Sequence, residues 1–179
     1  QPSLIVAPVS LLGNWQREAA RFCPSLSTHI HHGLTRHGAA QDLNGFDIVF
    51  TPYSLLHRDR ELWLATDWHM LVLDEAQNIK NPRSQMAQAA CQLDARHRLC
   101  LSGTPVENHL GELWSLMRFL IPGFLGSEEA FNTRFRRPIE KNGDSERNET
   151  LRRRIAPLVL RRTKDQVATE LPPKTEIIH

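Results

Sequence analysis

The sequence of 179 residues predicts an α/β fold, a three-layer parallel sheet with a C-terminal helical appendage. Short apolar runs, each closed by a polar, Pro or Gly stop, alternate with amphipathic stretches up to about residue 121. Beyond that point helical spacing continues without further strands. Hydrophobic residues make up 40% and charged residues 23%, which places the chain among globular proteins able to bury a sizeable core.

The runs follow in order. Leu4-Ile5-Val6-Ala7 ends at Pro8; Thr28-His29-Ile30 is a weaker strand; Asp47-Ile48-Val49-Phe50 ends at Thr51-Pro52. Met70-Leu71-Val72-Leu73 ends at Asp74-Glu75, and Arg98-Leu99-Cys100-Leu101 ends at Ser102-Gly103. Between them, Ser10 is placed to N-cap a helix over 11–22, with Leu11, Leu12, Trp15, Ala19 and Phe22 at helical spacing. Residues 83–93 and 108–120 also read as helices, the second with Leu110, Leu113, Trp114, Met117 and Leu120 on one face. Strands alternating with helices imply βαβ units. Ile121-Pro122-Gly123 is a stop, after which 127–137 and 146–156 read as helices separated by a polar, mobile loop near Lys141-Asn142-Gly143-Asp144. Leu171-Pro172-Pro173-Lys174 reads as a rigid linker.

Several classes are disfavoured. No apolar run approaches the ~18 residues a bilayer span needs. Gln1-Pro2-Ser3 carries neither a basic n-region nor a cleavage signal and reads as the start of an excised piece. Cys23, Cys91 and Cys100 fit no zinc spacing and read as buried free thiols of a reducing cytoplasm. His29, His31, His32 and His37 lack a Cys or acid at ligand spacing, which argues against a metal cluster. The net charge of +2 conceals an asymmetry: residues 1–133 hold ten Lys/Arg against thirteen Asp/Glu, and residues 134–164 eleven against four. Such a block suits either nucleic-acid phosphate or a solvated helical face.

Chemistry concentrates at two strand ends. Asp74-Glu75 closes an apolar strand, where parallel sheets bind ligands. In nucleotide hydrolysis Asp74 would hold a magnesium ion through water, and Glu75 would orient and deprotonate the attacking water. Strands often end in Asp, so the pair alone also fits a charged turn. About 25 residues on, Leu101-Ser102-Gly103-Thr104-Pro105 follows another strand. Gly103 permits an unusual backbone angle, and Ser102 and Thr104 offer hydroxyls.

These segments resemble the ordered motifs of Swi/Snf-type ATPases of helicase superfamily two, the bacterial members above all. Pro8-Val9-Ser10-Leu11-Leu12-Gly13-Asn14-Trp15 is similar to motif Ia, and Asp47-Ile48-Val49-Phe50-Thr51-Pro52-Tyr53 to motif Ib, with Pro52 where Thr is commoner. Asp74-Glu75-Ala76-Gln77-Asn78-Ile79-Lys80-Asn81 resembles motif II, with Gln77 where His is more usual, and Ser102-Gly103-Thr104-Pro105-Val106-Glu107-Asn108 resembles motif III. Leu120 to Gly126, Leu160 to Lys164 and Leu171 to Lys174 resemble the segments that follow, so the match runs from about residue 4 to 176.

The resemblance implies that residues 1–121 are part of a first RecA-like ATPase lobe, 122–170 a helical appendage and 171–179 a linker toward a second lobe. It implies ATP and magnesium as cofactors, with Asp74 and Glu75 catalytic and Gln77 contacting phosphate or motif III. Ser102, Gly103 and Thr104 would then couple the nucleotide site to double-stranded DNA, the implied partner, along a track at Pro8, Ser10, Asn14, Thr51 and Ser54. Free N–H groups at helix starts suit phosphate there. Trp15 and Trp114, on apolar faces, read as core, and Arg161 and Arg162 as lobe-bridging. No Gly-x-x-x-x-Gly-Lys-Ser/Thr loop occurs in the sequence. The chain is thus expected to be an inactive portion of a cytoplasmic, nucleoid-associated translocase. A sheet missing its loop-bearing strand is expected to present an apolar edge prone to self-association. Two alternatives stand beside this: an RNA helicase lobe, disfavoured by Ile79-Lys80-Asn81 and the long insert after motif III, and a non-catalytic binding module, disfavoured by the intact Asp74-Glu75 pair.

Overall fold

A computed structural model of the chain describes residues 1–33, 43–103 and 109–162. Five strands, β1 (Ser3–Ala7), β2 (Thr28–Ile30), β3 (Ile48–Pro52), β4 (Trp68–Leu73) and β5 (Ala95–Cys100), form one sheet in the order β2-β3-β1-β4-β5. Every pairing is parallel, with Val6 beside both Thr51 and Leu73, and Leu73 beside Cys100. The register brings the C-terminal ends of β3, β1, β4 and β5 to one rim. The chain leaves β1 toward β2 but returns from β3 across β1 to β4, so the order reverses at the β1–β4 pair, where a crevice opens in sheets of this kind.

Side chains alternate across the sheet and define two faces. Leu4, Val6, Val49, Leu71 and Leu73 point into the larger core. That face is covered by α2 (Tyr53–Arg58), α3 (Arg60–Leu64), α4 (Gln85–Gln92) and α5 (Leu110–Leu120). Ile5, Ala7, Phe50 and Val72 point the other way, against Leu12 and Trp15 of α1 (Val9–Phe22). The layers are therefore unequal. On the α1 side Leu99, which is level with Val72, stays 44% exposed. β2 and β5 are the two edges among the described residues, and Arg96 and His97 are exposed on β5. Charged residues blunt a sheet edge, so this edge is more basic than the apolar one expected from sequence.

Element boundaries differ from expectation for identifiable reasons. α1 begins at Val9 with Pro8 in the N-cap position, so Ser10 lies inside the first turn and does not cap. Ser84 caps α4, its hydroxyl accepting from the Ala87 N–H. The helix beginning after Ser127 runs from α6 (Glu128–Phe131) through a π-helical turn (Asn132–Arg136) into α7 (Arg137–Asn142). The polar segment beyond it is a short turn between two helices: Gly143 takes a left-handed C-cap conformation (φ 65°), and Asp144 caps α8 (Ser145–Ile155). Cys91 and Cys100 are partly buried and Cys23 is exposed at the end of α1, so the expectation of three buried thiols fails at Cys23. His37 and the 171–174 linker lie outside the described residues.

α5 is buried on more than one face, with Glu112 and Ser115 buried among its apolar residues. Leu116 and Phe119 enter the sheet core, while Leu113, Trp114 and Met117 join Leu125, Phe131, Phe135 and Leu151 in a second cluster that roots the appendage. Among the described residues no helix is long and apolar enough to cross a membrane. Phe119 is fully buried between α5 and the sheet. Phe119→Ala is expected to lower unfolding stability by about 3–5 kcal/mol, read from the urea midpoint.

Candidate active site

The rim at the β1–β4 reversal is built on backbone hydrogen bonds. The Asp74 N–H donates to the Val6 carbonyl at 2.8 Å, extending the strand pairing by one residue. The Leu101 N–H donates to the Leu73 carbonyl at 2.8 Å, and the Ala76 N–H to the Leu101 carbonyl at 2.9 Å. The turn after β4 and the segment after β5 are thus tied together before any side chain acts.

Asp74 is gripped at three atoms. Its Oδ1 accepts the Glu75 N–H at 2.9 Å, and its Oδ2 accepts the Trp15 indole N–H at 2.8 Å. Its carbonyl accepts the Tyr53 hydroxyl at 2.7 Å. Glu75 sits in the left-handed region (φ 50°, ψ 52°), the one non-glycine residue with positive φ among those described. That conformation costs an L-residue about 1 kcal/mol or more. The cost is offset by local bonds: the Glu75 carbonyl accepts Asn78 Nδ2 at 2.7 Å, and Glu75 Oε2 accepts Gln77 Nε2 at 2.6 Å. Gln77 Oε1 in turn accepts the Ser102 hydroxyl at 2.8 Å. An amide has a donor and an acceptor at its two ends, so Gln77 bridges a carboxylate and a hydroxyl in one line. Ser102, Gln77 and Glu75 therefore form a single hydrogen-bonded relay, its Ser102–Gln77 step alone joining positions 25 residues apart.

The other expected residues divide. Ser10 is exposed and Pro8 half-buried at the start of α1, which follows β1 at the rim, and Asn14 is exposed in the second turn of the helix. Ser54 is exposed in the first turn of α2. Thr51 does not join them. It belongs to β3 rather than to a helix start, is fully buried, and its hydroxyl donates to the His31 carbonyl at 3.3 Å. Gly103 is exposed but does not use positive φ, so its lack of a side chain serves no left-handed turn. Thr104 lies outside the described residues.

Sequence reasoning missed Tyr53 as a site residue and assigned Trp15 to the core. Trp15 does pack beside Leu12, yet its polar end reaches Asp74, 59 positions away. Periodicity placed the ring on the apolar face of α1 and could not show which atom the N–H meets. Both carboxylates also act on Tyr53: burial, then Cys100, Asp74 and Glu75, push its hydroxyl well above the usual phenol range. Burial also pushes the Cys100 thiol up to about 12. Tyr53 is the single tyrosine of the sequence, so its ionisation can be followed directly. A raised folded-state pKa means that this group's contribution to stability is complete below the ordinary phenol value of about 10 and is lost as pH rises above it. Phenolate absorbance in this 179-residue chain is therefore expected to appear together with alkaline unfolding. Free titration near the ordinary value with the fold intact would contradict the buried Tyr53–Asp74 bond.

Comparison with known proteins gives consistent matches. The family profile described as the SNF2-related domain matches residues 1–179. The putative ATP-dependent helicase/translocase YwqA of Bacillus subtilis is 45% identical over 180 residues, covering 98% of this chain and 20% of YwqA. The TATA-binding protein-associated factor mot1 of Schizosaccharomyces pombe is 39% identical over 186 residues, covering 97% of this chain and 10% of that protein. The Sulfolobus solfataricus SWI2/SNF2 ATPase core solved in complex with dsDNA superposes with a TM-score of 0.85 at 41% identity, over 93% of this chain and 35% of that one. The parallel sheet with flanking helices is thus the RecA-like architecture of that core. This chain spans 20% or less of the length of these two curated relatives.

Proposed function

This chain belongs to the SNF2-related domain family, and from that premise we propose that it is the magnesium-and-water side of the ATPase site of a double-stranded-DNA translocase. The observation that carries the reading is the Asp74–Glu75–Gln77–Ser102 cluster at the sheet's switch point. Its support from relatives is that YwqA is described as an ATP-dependent helicase/translocase and that the Sulfolobus core was solved with dsDNA.

The residues present suit a hard divalent cation. Magnesium takes oxygen ligands and keeps several waters, and one or two carboxylates with substrate phosphates suffice. Asp74 offers a half-buried carboxylate whose two oxygens each already accept one N–H, which fixes its plane while leaving lone pairs. Bound with ATP, magnesium would neutralise charge on the phosphates. Glu75 orients the attacking water and takes its proton at a carboxylate oxygen. Gln77 holds Glu75 from one end and Ser102 from the other, so a shift of the segment after β5 reaches the base directly. Pro8, Ser10, Asn14 and Ser54 form the DNA side of the same rim; Thr51 supports it from inside the sheet. Residues 122–170 act as an appendage and 171–179 as the path toward a second lobe, in a protein of the bacterial cytoplasm acting at the nucleoid. Self-association of the 179-residue chain would use the β5 edge, with Arg96 and His97 opposing it.

The 179 residues contain no phosphate-cradling Lys motif, so the chain expressed alone is expected to show no ATP turnover. In the intact protein Glu75→Gln is expected to cut DNA-stimulated turnover by roughly 10²-fold or more, with little change in Tm. Full turnover in Glu75→Gln would take the role of base away from Glu75, and no turnover in the unmutated intact protein, with salt-sensitive DNA binding indifferent to nucleotide, would leave only a binding module.

A further inference from the structure

We propose that Trp15 is a positioning residue of the nucleotide site, its indole N–H fixing the Asp74 carboxylate from the helix that fronts the proposed DNA side. The inference rests on the reading of Asp74 given above and adds a residue assigned there to no role.

The four tryptophans provide the contrast. Trp63 donates to the Leu55 carbonyl, Trp68 to the Trp63 carbonyl and Trp114 to the Gly126 carbonyl. Those are the bonds a core indole makes to satisfy its N–H. Trp15 instead donates to a side-chain carboxylate, at 2.8 Å. An indole can only donate, and a bond to a charged acceptor is stronger than one to a neutral acceptor. With the Glu75 N–H on Oδ1, the Trp15 N–H on Oδ2 removes the remaining freedom of the carboxylate to rotate.

The tie is also stiff. The indole packs with Leu12 against the sheet residues Ile5, Ala7, Phe50 and Val72, so the N–H follows α1 as a body. The exposed residues Ser10 and Asn14 lie on that same helix. Tyr53, opening α2 beside exposed Ser54, holds the Asp74 carbonyl at 2.7 Å. Both helices that start at the rim therefore close on one residue, one through its side chain and one through its backbone. A displacement of α1 by a bound duplex must move the Asp74 carboxylate or break this bond.

The test uses the intact protein and three variants. Trp15→Phe keeps an aromatic ring and removes the N–H; Trp15→His keeps a ring N–H in a smaller side chain; Asp74→Asn reports on Asp74 itself. The readouts are equilibrium binding of a fluorescent ATP analogue titrated with Mg²⁺, and the change in duplex-DNA affinity caused by that nucleotide. Trp15→Phe is expected to raise the Mg²⁺ needed for half-saturation roughly tenfold, the size of one hydrogen bond to a charged group. It should also shrink the nucleotide-dependent change in DNA affinity. Trp15→His should lie closer to wild type in both, even where it is less stable. Wild-type Mg²⁺ dependence in Trp15→Phe, or Trp15→His more impaired than Trp15→Phe, overturns the proposal. Failure of both Trp15 variants to fold assigns the indole to the core and overturns it too, whereas a folded Trp15→His beside an unfolded Trp15→Phe supports it. If Asp74→Asn leaves Mg²⁺-dependent binding intact, it is the reading of Asp74 that has failed.

Discussion

The parallel pairing of β1 with β4 is the constraint from which the site follows. Because Val6 and Leu73 lie side by side, the Asp74 N–H meets the Val6 carbonyl, and the start of α1 comes to the same rim as the Asp-Glu turn. Once Asp74 is fixed there, Trp15 and Tyr53 reach it from two helices. Glu75 is then forced into a left-handed turn, and that turn directs its side chain to Gln77. The local strain is tolerable because every strained group is hydrogen-bonded; an unbonded carboxylate in a half-buried turn would be costly.

A second dependence runs through α5. Its two apolar sides place Leu116 and Phe119 in one core and Trp114 and Met117 in another, so the appendage is rooted in the same helix that packs the sheet. Arg98 strengthens the junction from β5: its guanidinium donates to the Phe119 and Leu93 carbonyls and lies over the Phe119 ring. A basic residue on a sheet edge thus serves as an internal clamp. Ser115 adds a bond from α5 to the Ile79 carbonyl at 2.6 Å, close behind the Asp-Glu turn. The helices after residue 121 and the segment behind the Asp-Glu turn therefore share this helix.

The basic stretch beyond residue 133 is in part spent locally. Arg136 pairs with Glu140, Arg147 with Asp144 and Arg153 with Glu149, while Arg154 donates to the Phe124 carbonyl. Arg152, Arg161 and Arg162 are exposed. Exposed pairs of this kind contribute little to stability, so the charge is available to the surroundings rather than to the fold. The histidines near β2 are likewise structural: His31 is buried 2.8 Å from Asp59 and edge-on to Trp63, and His29 stacks on Phe46.

Much of this was legible from the residues alone. All five strands overlap the apolar runs: β1, β3 and β4 are largely buried on both faces, which needs a continuous apolar run, whereas the edge strand β5 begins ahead of its run, at Ala95, with Arg96 and His97 exposed. The Asp74-Glu75 and Ser102-Gly103 turns were legible for the same reason, as polar stops closing such runs. What the sequence could not supply was which strand lies beside which. That choice brings Trp15 and Tyr53 onto Asp74, takes Thr51 out of solvent and leaves β2 and β5 as the edges. Each depends on contacts between segments tens of residues apart, and hydrophobic period reports only which way a side chain faces. The sequence by itself determined the layers and the acids at the rim; the tertiary structure alone decided which N–H and hydroxyl groups hold those acids, because strand order sets those distances.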